Sequence, residues 1–134
     1  MILAVCVDDQ YGMLFNKRRQ SRDRAQQADL LCWCSGRKLW MNSYSATLFQ
    51  SAEIHVDDAF LQKAEAGDVC FVENLPVKEL APKIEAVILY RWNRTYPADL
   101  RFDLDLSAFA LKETTEFSGT SHAVITREIY ERKG

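Results

Sequence analysis

Three short, almost unbroken apolar runs constrain this chain more than any other feature: residues 2–7, 69–72 and 86–92. Each is too short for a self-burying helix and is rich in β-branched or aromatic residues. Such runs suit strands covered on both faces. Strands of that kind sit inside parallel sheets, and parallel neighbours need long crossovers, usually helical.

The intervening segments carry helical signals. A helix is expected over residues 21–34, with Ser21 as N-cap, a stripe of Ala25, Ala28, Leu31 and Cys32, and Ser35-Gly36 as its stop. A strand at 38–41, a short helix at 43–50 and a strand at 52–56 follow. Asp57-Asp58 opens a further helix whose inner face is Phe60, Leu61 and Ala64, ended by Gly67. Pro76 suits the first turn of a brief helix ending near Pro82. Residues 106–117 and 122–130 flank Ser118-Gly119-Thr120, a β-hairpin signal. The order predicts one α/β domain over residues 1–134: a mainly parallel central sheet flanked by helices, with a C-terminal antiparallel hairpin.

Bulk properties exclude several classes. At 134 residues the chain can close one hydrophobic core. A net charge of −2 exerts no global pull on nucleic acid or an anionic membrane. No apolar run is long enough for a membrane span. The first apolar run is too short for an export signal and has no basic residue before it, so the cytoplasm is the expected compartment and the four cysteines are expected to be reduced. Cys32-Trp33-Cys34 lacks the spacing of a zinc or redox site, and no metal is expected. Phosphate-binding loop, nucleophile-elbow, metal-hydrolase and dinucleotide glycine motifs are missing from the sequence.

The residues themselves go further. Ile2 to Val7, followed by Asp8 and Gly12, then Trp40-Met41-Asn42-Ser43, Val69-Cys70-Phe71-Val72, Leu80-Ala81-Pro82-Lys83, Val87-Ile88-Leu89-Tyr90, Asp99 with Phe102, Ser121-His122, and Glu128-Ile129-Tyr130-Glu131-Arg132 occur in a familiar order and spacing. Along most of its length the chain resembles dihydrofolate reductase. The resemblance implies that family's fold, a pterin-like substrate and a nicotinamide cofactor.

The departures from the family bear on function. Its paired glycines, which let backbone approach the cofactor pyrophosphate, are replaced by Val72-Glu73-Asn74. Glu73 adds negative charge where an anion should bind, before an expected helix N-terminus. Its second phosphate contact, Gly-Arg-x-Thr, is here Asn42-Ser43-Tyr44-Ser45, without the cation. The chain passes from Gln50 to the 52–56 strand without room for the family's next strand, which carries the arginine for the folate tail. Lys17-Arg18-Arg19-Gln20 replaces its apolar substrate-covering loop. Asn42, Ser43, Ser45, Val72, Glu73 and Asn74 are therefore read as a lost cofactor site.

Asp23 falls near the family's buried acid and is the one catalytic candidate. Between Arg22 and Arg24 it also reads as a solvated helix-start carboxylate with a lowered pKa, and that reading is preferred. The resemblance makes Leu3, Ala4, Phe71 and Tyr90 the lining of a ligand pocket, with Tyr90 helping to hold the acid. Lys17, Arg18 and Arg19 are candidates for an anion or RNA contact, although a solvated loop is preferred and nucleic acid is not expected as a partner. The expectation is a dihydrofolate-reductase-like domain with a degenerate site, no cofactor and no reductase activity, acting as a small-ligand-binding or protein-interaction module. An exposed sheet edge would invite a homodimer. The alternative is an active oxidoreductase on a pterin-like substrate, with Asp23 as acid and NADPH in an altered site.

Overall fold

The computed structural model describes residues 1–50 and 53–134. The apolar runs form the centre of a seven-stranded sheet. In chain order its strands are β1 (Ile2–Val7), β4 (Leu39–Met41), β5 (Ile54–Val56), β6 (Val69–Phe71), β7 (Ala86–Arg91), β9 (Phe109–Phe117) and β10 (Ile125–Arg132). Their spatial order is β5-β4-β6-β1-β7-β10-β9. The first five are mutually parallel, with Ala4 opposite both Phe71 and Ile88. The hairpin β9–β10 closes one side antiparallel to β7. This is the mainly parallel sheet with a C-terminal antiparallel hairpin that the sequence pattern predicts.

Side chains alternate across β1. Leu3, Val5 and Val7 pack on one face with Phe60, Val87 and Leu89. Ile2 and Ala4 pack on the other with Leu30, Phe49, Phe71, Ile88 and Tyr90. Both faces are buried, which is why the central runs carry almost no polar residue. Each large apolar side chain withdrawn from water contributes roughly 1.5–3 kcal/mol.

Helix α1 (Arg24–Trp33) covers the second face through Leu30. It begins later than expected. Asp23, not Ser21, is its N-cap, with an extended backbone and a carboxylate accepting from the Ala25 and Gln26 amides. Helix α2 (Ser43–Ala46) is one turn capped by Asn42, shorter than the expected 43–50 helix. Helix α3 (Phe60–Lys63) buries Phe60 and Leu61 as expected, but it is one turn that starts after Asp57-Asp58 and stops before Ala64, whose backbone is extended. The segment after Pro76 forms a 3-10 turn at Lys78–Lys83 instead of an α-helix, and the amides at its start, Val77 and Lys78, donate to Asp103. The expected strand at 52–56 is observed at Ile54–Val56; Ala52 lies outside the described residues. The loop between the last two strands is longer than the expected three-residue turn, and His122 lies within it.

The expected basic loop around Lys17 to Gln20 is partly a hairpin, β2 (Gly12–Phe15) with β3 (Arg18–Arg19), joined to β8 (Leu100–Arg101) in a second small sheet. Asn16 and Lys17 take φ of 52° and 61° at its tip, as a two-residue turn of matching twist requires. Among the described residues, no helix is long and apolar enough to cross a membrane.

Candidate functional site

A groove of about 700 Å³ runs along α1. Gln27, Ala28 and Leu31 form its helical wall, and Thr47, Leu48, Phe49 and Gln50 face them. Arg22, Asp23, Arg24 and Ser121 lie at its end near the start of α1.

Asp23 is not solvated. Its residue is 1 % exposed, so the expected solvation fails, while the expected place at the helix start and the lowered pKa hold. The N-cap position turns its carboxylate inward, where the loop after β9 closes over it. Oδ1 accepts from the Ala25 amide at 2.8 Å and from the Thr120 amide at 3.0 Å. Oδ2 accepts from the Ser121 amide at 2.7 Å and lies 3.2 Å from Nδ1 of His122. Burial alone would raise the Asp23 pKa, but the donors from Thr120, Ser121 and His122 outweigh it and hold the carboxyl well below its usual range. Nε2 of His122 in turn lies 3.1 Å from the Ser21 hydroxyl and 3.0 Å from that of Tyr96. The imidazole stacks on Trp92.

A second buried carboxylate lies at the end of β6. Glu73 is 8 % exposed and accepts from Nε of Arg19 at 2.9 Å, Nη2 of Arg19 at 3.1 Å and the Ser45 hydroxyl at 2.8 Å. Burial would lower the Arg19 pKa, but contact with Glu73 raises it. Arg19 also donates its main-chain N–H to the Tyr44 hydroxyl at 2.7 Å, and its guanidinium lies over the Tyr44 ring. Next to this cluster, Asn42 donates to the Asn74 side chain at 2.9 Å. Ser43 instead bonds Asp58. Val72 is buried in the core. The residues read as a lost cofactor site are therefore largely one connected polar cluster, with Arg19 added from the hairpin.

No protein-family model matches the chain. No curated protein matches it either. Solved structures do. One is dihydrofolate reductase from Enterococcus faecalis complexed with NADP(H) and RAB-propyl, at a TM-score of 0.65 and 15% identity, covering 100% of this chain and 97% of that one. The chain has a dihydrofolate-reductase-like fold.

Within that fold, the four residues expected to line a pocket are all buried. Leu3 faces the opposite side of the sheet from Ala4, Phe71 and Tyr90, because successive strand side chains alternate. Phe49 packs edge-on against Phe71, and neither the groove along α1 nor the one lined by Leu61, Leu75 and Pro76 is lined by any of the four.

Tyr90 does hold an acid, and that acid is Asp29. Its hydroxyl donates to Asp29 Oδ2 at 2.6 Å, while Arg127 Nη1 donates to Asp29 Oδ1 at 2.9 Å. Burial first, then the Asp29 hydrogen bond, pushes the Tyr90 phenol far above its usual pKa. Asp29 escaped sequence reasoning because it stands six residues beyond Asp23 on the far side of the Arg-flanked segment. Its position beside the buried Leu30 on α1 was the available signal. Lys17 and Arg18 are exposed at the hairpin tip, apart from Arg19. Among the described residues, no group of three or more His, Cys, Asp or Glu is arranged to hold a metal.

Proposed function

We propose that this domain binds a small ligand in the groove along α1, without a nicotinamide cofactor and without reductase activity. The observation that carries this reading is the Glu73 carboxylate. A dinucleotide's pyrophosphate needs backbone amides that it can approach and uncompensated positive charge. The end of β6 offers an acid instead of glycines, and the nearby cation, Arg19, is already paired with it. The residues present do not suit that cofactor.

The groove supports the other half of the reading. Leu31 and Phe49 offer apolar surface, while Gln27, Gln50 and Thr47 offer hydrogen bonds, a usual mixture for a small-molecule site. Asp23 is a poor proton donor, since donors converge on its ionised form.

Thermal-shift titration with NADPH and NADH tests the cofactor half. No saturable rise in Tm is expected; stabilisation that saturates at micromolar cofactor would sink the proposal. Dihydrofolate reduction followed by absorbance should likewise stay at background. For the ligand half, compounds are screened by ligand-observed NMR against the wild type and Ala28→Trp, which fills the groove. Groove ligands should lose their signal with the variant, and hits that all persist would reject the groove.

A further inference from the structure

We infer that the end of β6 is an oxyanion site which the chain fills with its own side chain: the Glu73 carboxylate is an intramolecular ligand that fastens the β2–β3 hairpin to the main sheet. The inference rests on the proposal that no external pyrophosphate binds there, and it adds that the anion-binding donors remain in place.

The donor set has the form of a carboxylate receptor. Arg19 presents Nε and Nη2 to the two oxygens of Glu73 at 2.9 and 3.1 Å, the two-point fork that suits planar oxyanions. The Ser45 hydroxyl adds a third donor at 2.8 Å. These groups are held independently of Glu73. Arg19 is fixed to Tyr44 by its main-chain N–H, by an Nη2 bond to the Tyr44 carbonyl at 3.1 Å, and by stacking on the ring. Ser45 is fully buried, with its amide donated to Asn42 Oδ1 at 3.1 Å. Donors positioned by other contacts keep their arrangement when their ligand is removed, and so bind a replacement at reduced ordering cost. Shortening Glu73 to its backbone should expose a pocket of carboxylate size with one uncompensated cation.

The topology gives the contact a mechanical role. Arg19 is 54 residues from Glu73 and belongs to the small sheet, whereas Glu73 and Ser45 follow strands of the large one. The ion pair is therefore a bolt between the two sheets.

Chemical rescue tests this. Tm is measured for the wild type, Glu73→Gly and the double variant Arg19→Met/Glu73→Gly, in chloride, formate, acetate or inorganic phosphate at equal ionic strength. In chloride, Glu73→Gly should melt roughly 5–10 °C below the wild type. Formate or acetate should restore a few degrees to Glu73→Gly alone. Recovery with phosphate but not formate also supports the site and makes its occupant phosphate-sized. Equal responses of all three proteins overturn the inference. Glu73→Gln keeps the shape but not the charge, so it should lose stability without anion rescue; a Gln variant as stable as the wild type also overturns it. If Glu73→Gly does not fold in chloride, the same comparison is read as refolding yield with and without formate. Cofactor binding to the wild type would strike the functional proposal, whereas absent rescue strikes this inference alone.

Discussion

Asp23 and Glu73 are both buried carboxylates, yet the molecule satisfies them in opposite ways. Asp23 takes main-chain N–H groups from two segments, the first turn of α1 and the loop at Thr120 to His122. Among the described residues, Glu73 takes side-chain donors alone, from Arg19 and Ser45. A carboxylate held by backbone is bound to the path of the chain itself, and removing it orphans several amides at once. A carboxylate held by side chains depends on a few replaceable groups. Asp23 is thus the costlier to lose, and Glu73 the easier to replace by another chemical group.

The largest effect should follow from Asp23→Ala. Loss of the cap and of the amides it satisfies should cost about 3 kcal/mol, read by denaturant unfolding. The pH dependence has a definite sign. The folded-state pKa of Asp23 is depressed, so its contribution is complete above the unfolded value of about 3.9 and is lost as pH falls below it. Asp23→Asn should be less stable at neutral pH and show a flatter acid limb. An unchanged acid limb would remove the distinction between the two carboxylates. Gly119 gives an independent handle: a Cβ there would sit 2.5 Å from Asp23 Oδ2 and 2.6 Å from the His122 carbonyl oxygen. Gly119→Ala should therefore loosen the same network through sterics alone.

A smaller effect is expected at the other carboxylate. A double-mutant cycle on Arg19→Met and Glu73→Gln should give a coupling of about 1–3 kcal/mol. The Arg19 side chain is 20% exposed, so added salt should weaken that coupling. Asp23 is held mainly by uncharged donors, and its contribution should respond less. Coupling near zero would make Glu73 a bystander, and a salt-insensitive value would erase the contrast.

The same contrast explains how much could be read from sequence. The central sheet was legible because strands buried on both faces leave continuous apolar runs. The hairpin β2–β3 was not: β3 has two residues, and Asn16-Lys17 takes positive φ without a glycine to mark it. The burial of Asp23 was hidden because Arg22 and Arg24 stand beside it, while its decisive donors lie 97 to 99 residues away. Glu73 was visible as an acid in an unexpected place, but nothing local named Arg19 as its partner. The resemblance groups Leu3 with Ala4, although strand alternation alone sends them to opposite faces.

Asp29 supplies the intermediate case and the smallest expected effect. Among the described residues side chains alone hold it, as with Glu73, but two independent groups donate to it, the Tyr90 hydroxyl and the Arg127 guanidinium. Removing the hydroxyl should leave the charge paired. Tyr90→Phe deletes one hydrogen bond without opening a cavity, so it should cost only about 1 kcal/mol. Its signature is alkaline. The folded-state pKa of Tyr90 is raised, so its contribution is intact below the unfolded value of about 10 and is lost as pH climbs above it. In a phenolate absorbance titration the wild type should contain a component that ionises only when the chain unfolds, and Tyr90→Phe should lack it. A cost as large as that of Asp23→Ala would mean that Arg127 cannot hold Asp29 alone; redundancy of donors, rather than their backbone or side-chain origin, would then fail to rank these three sites.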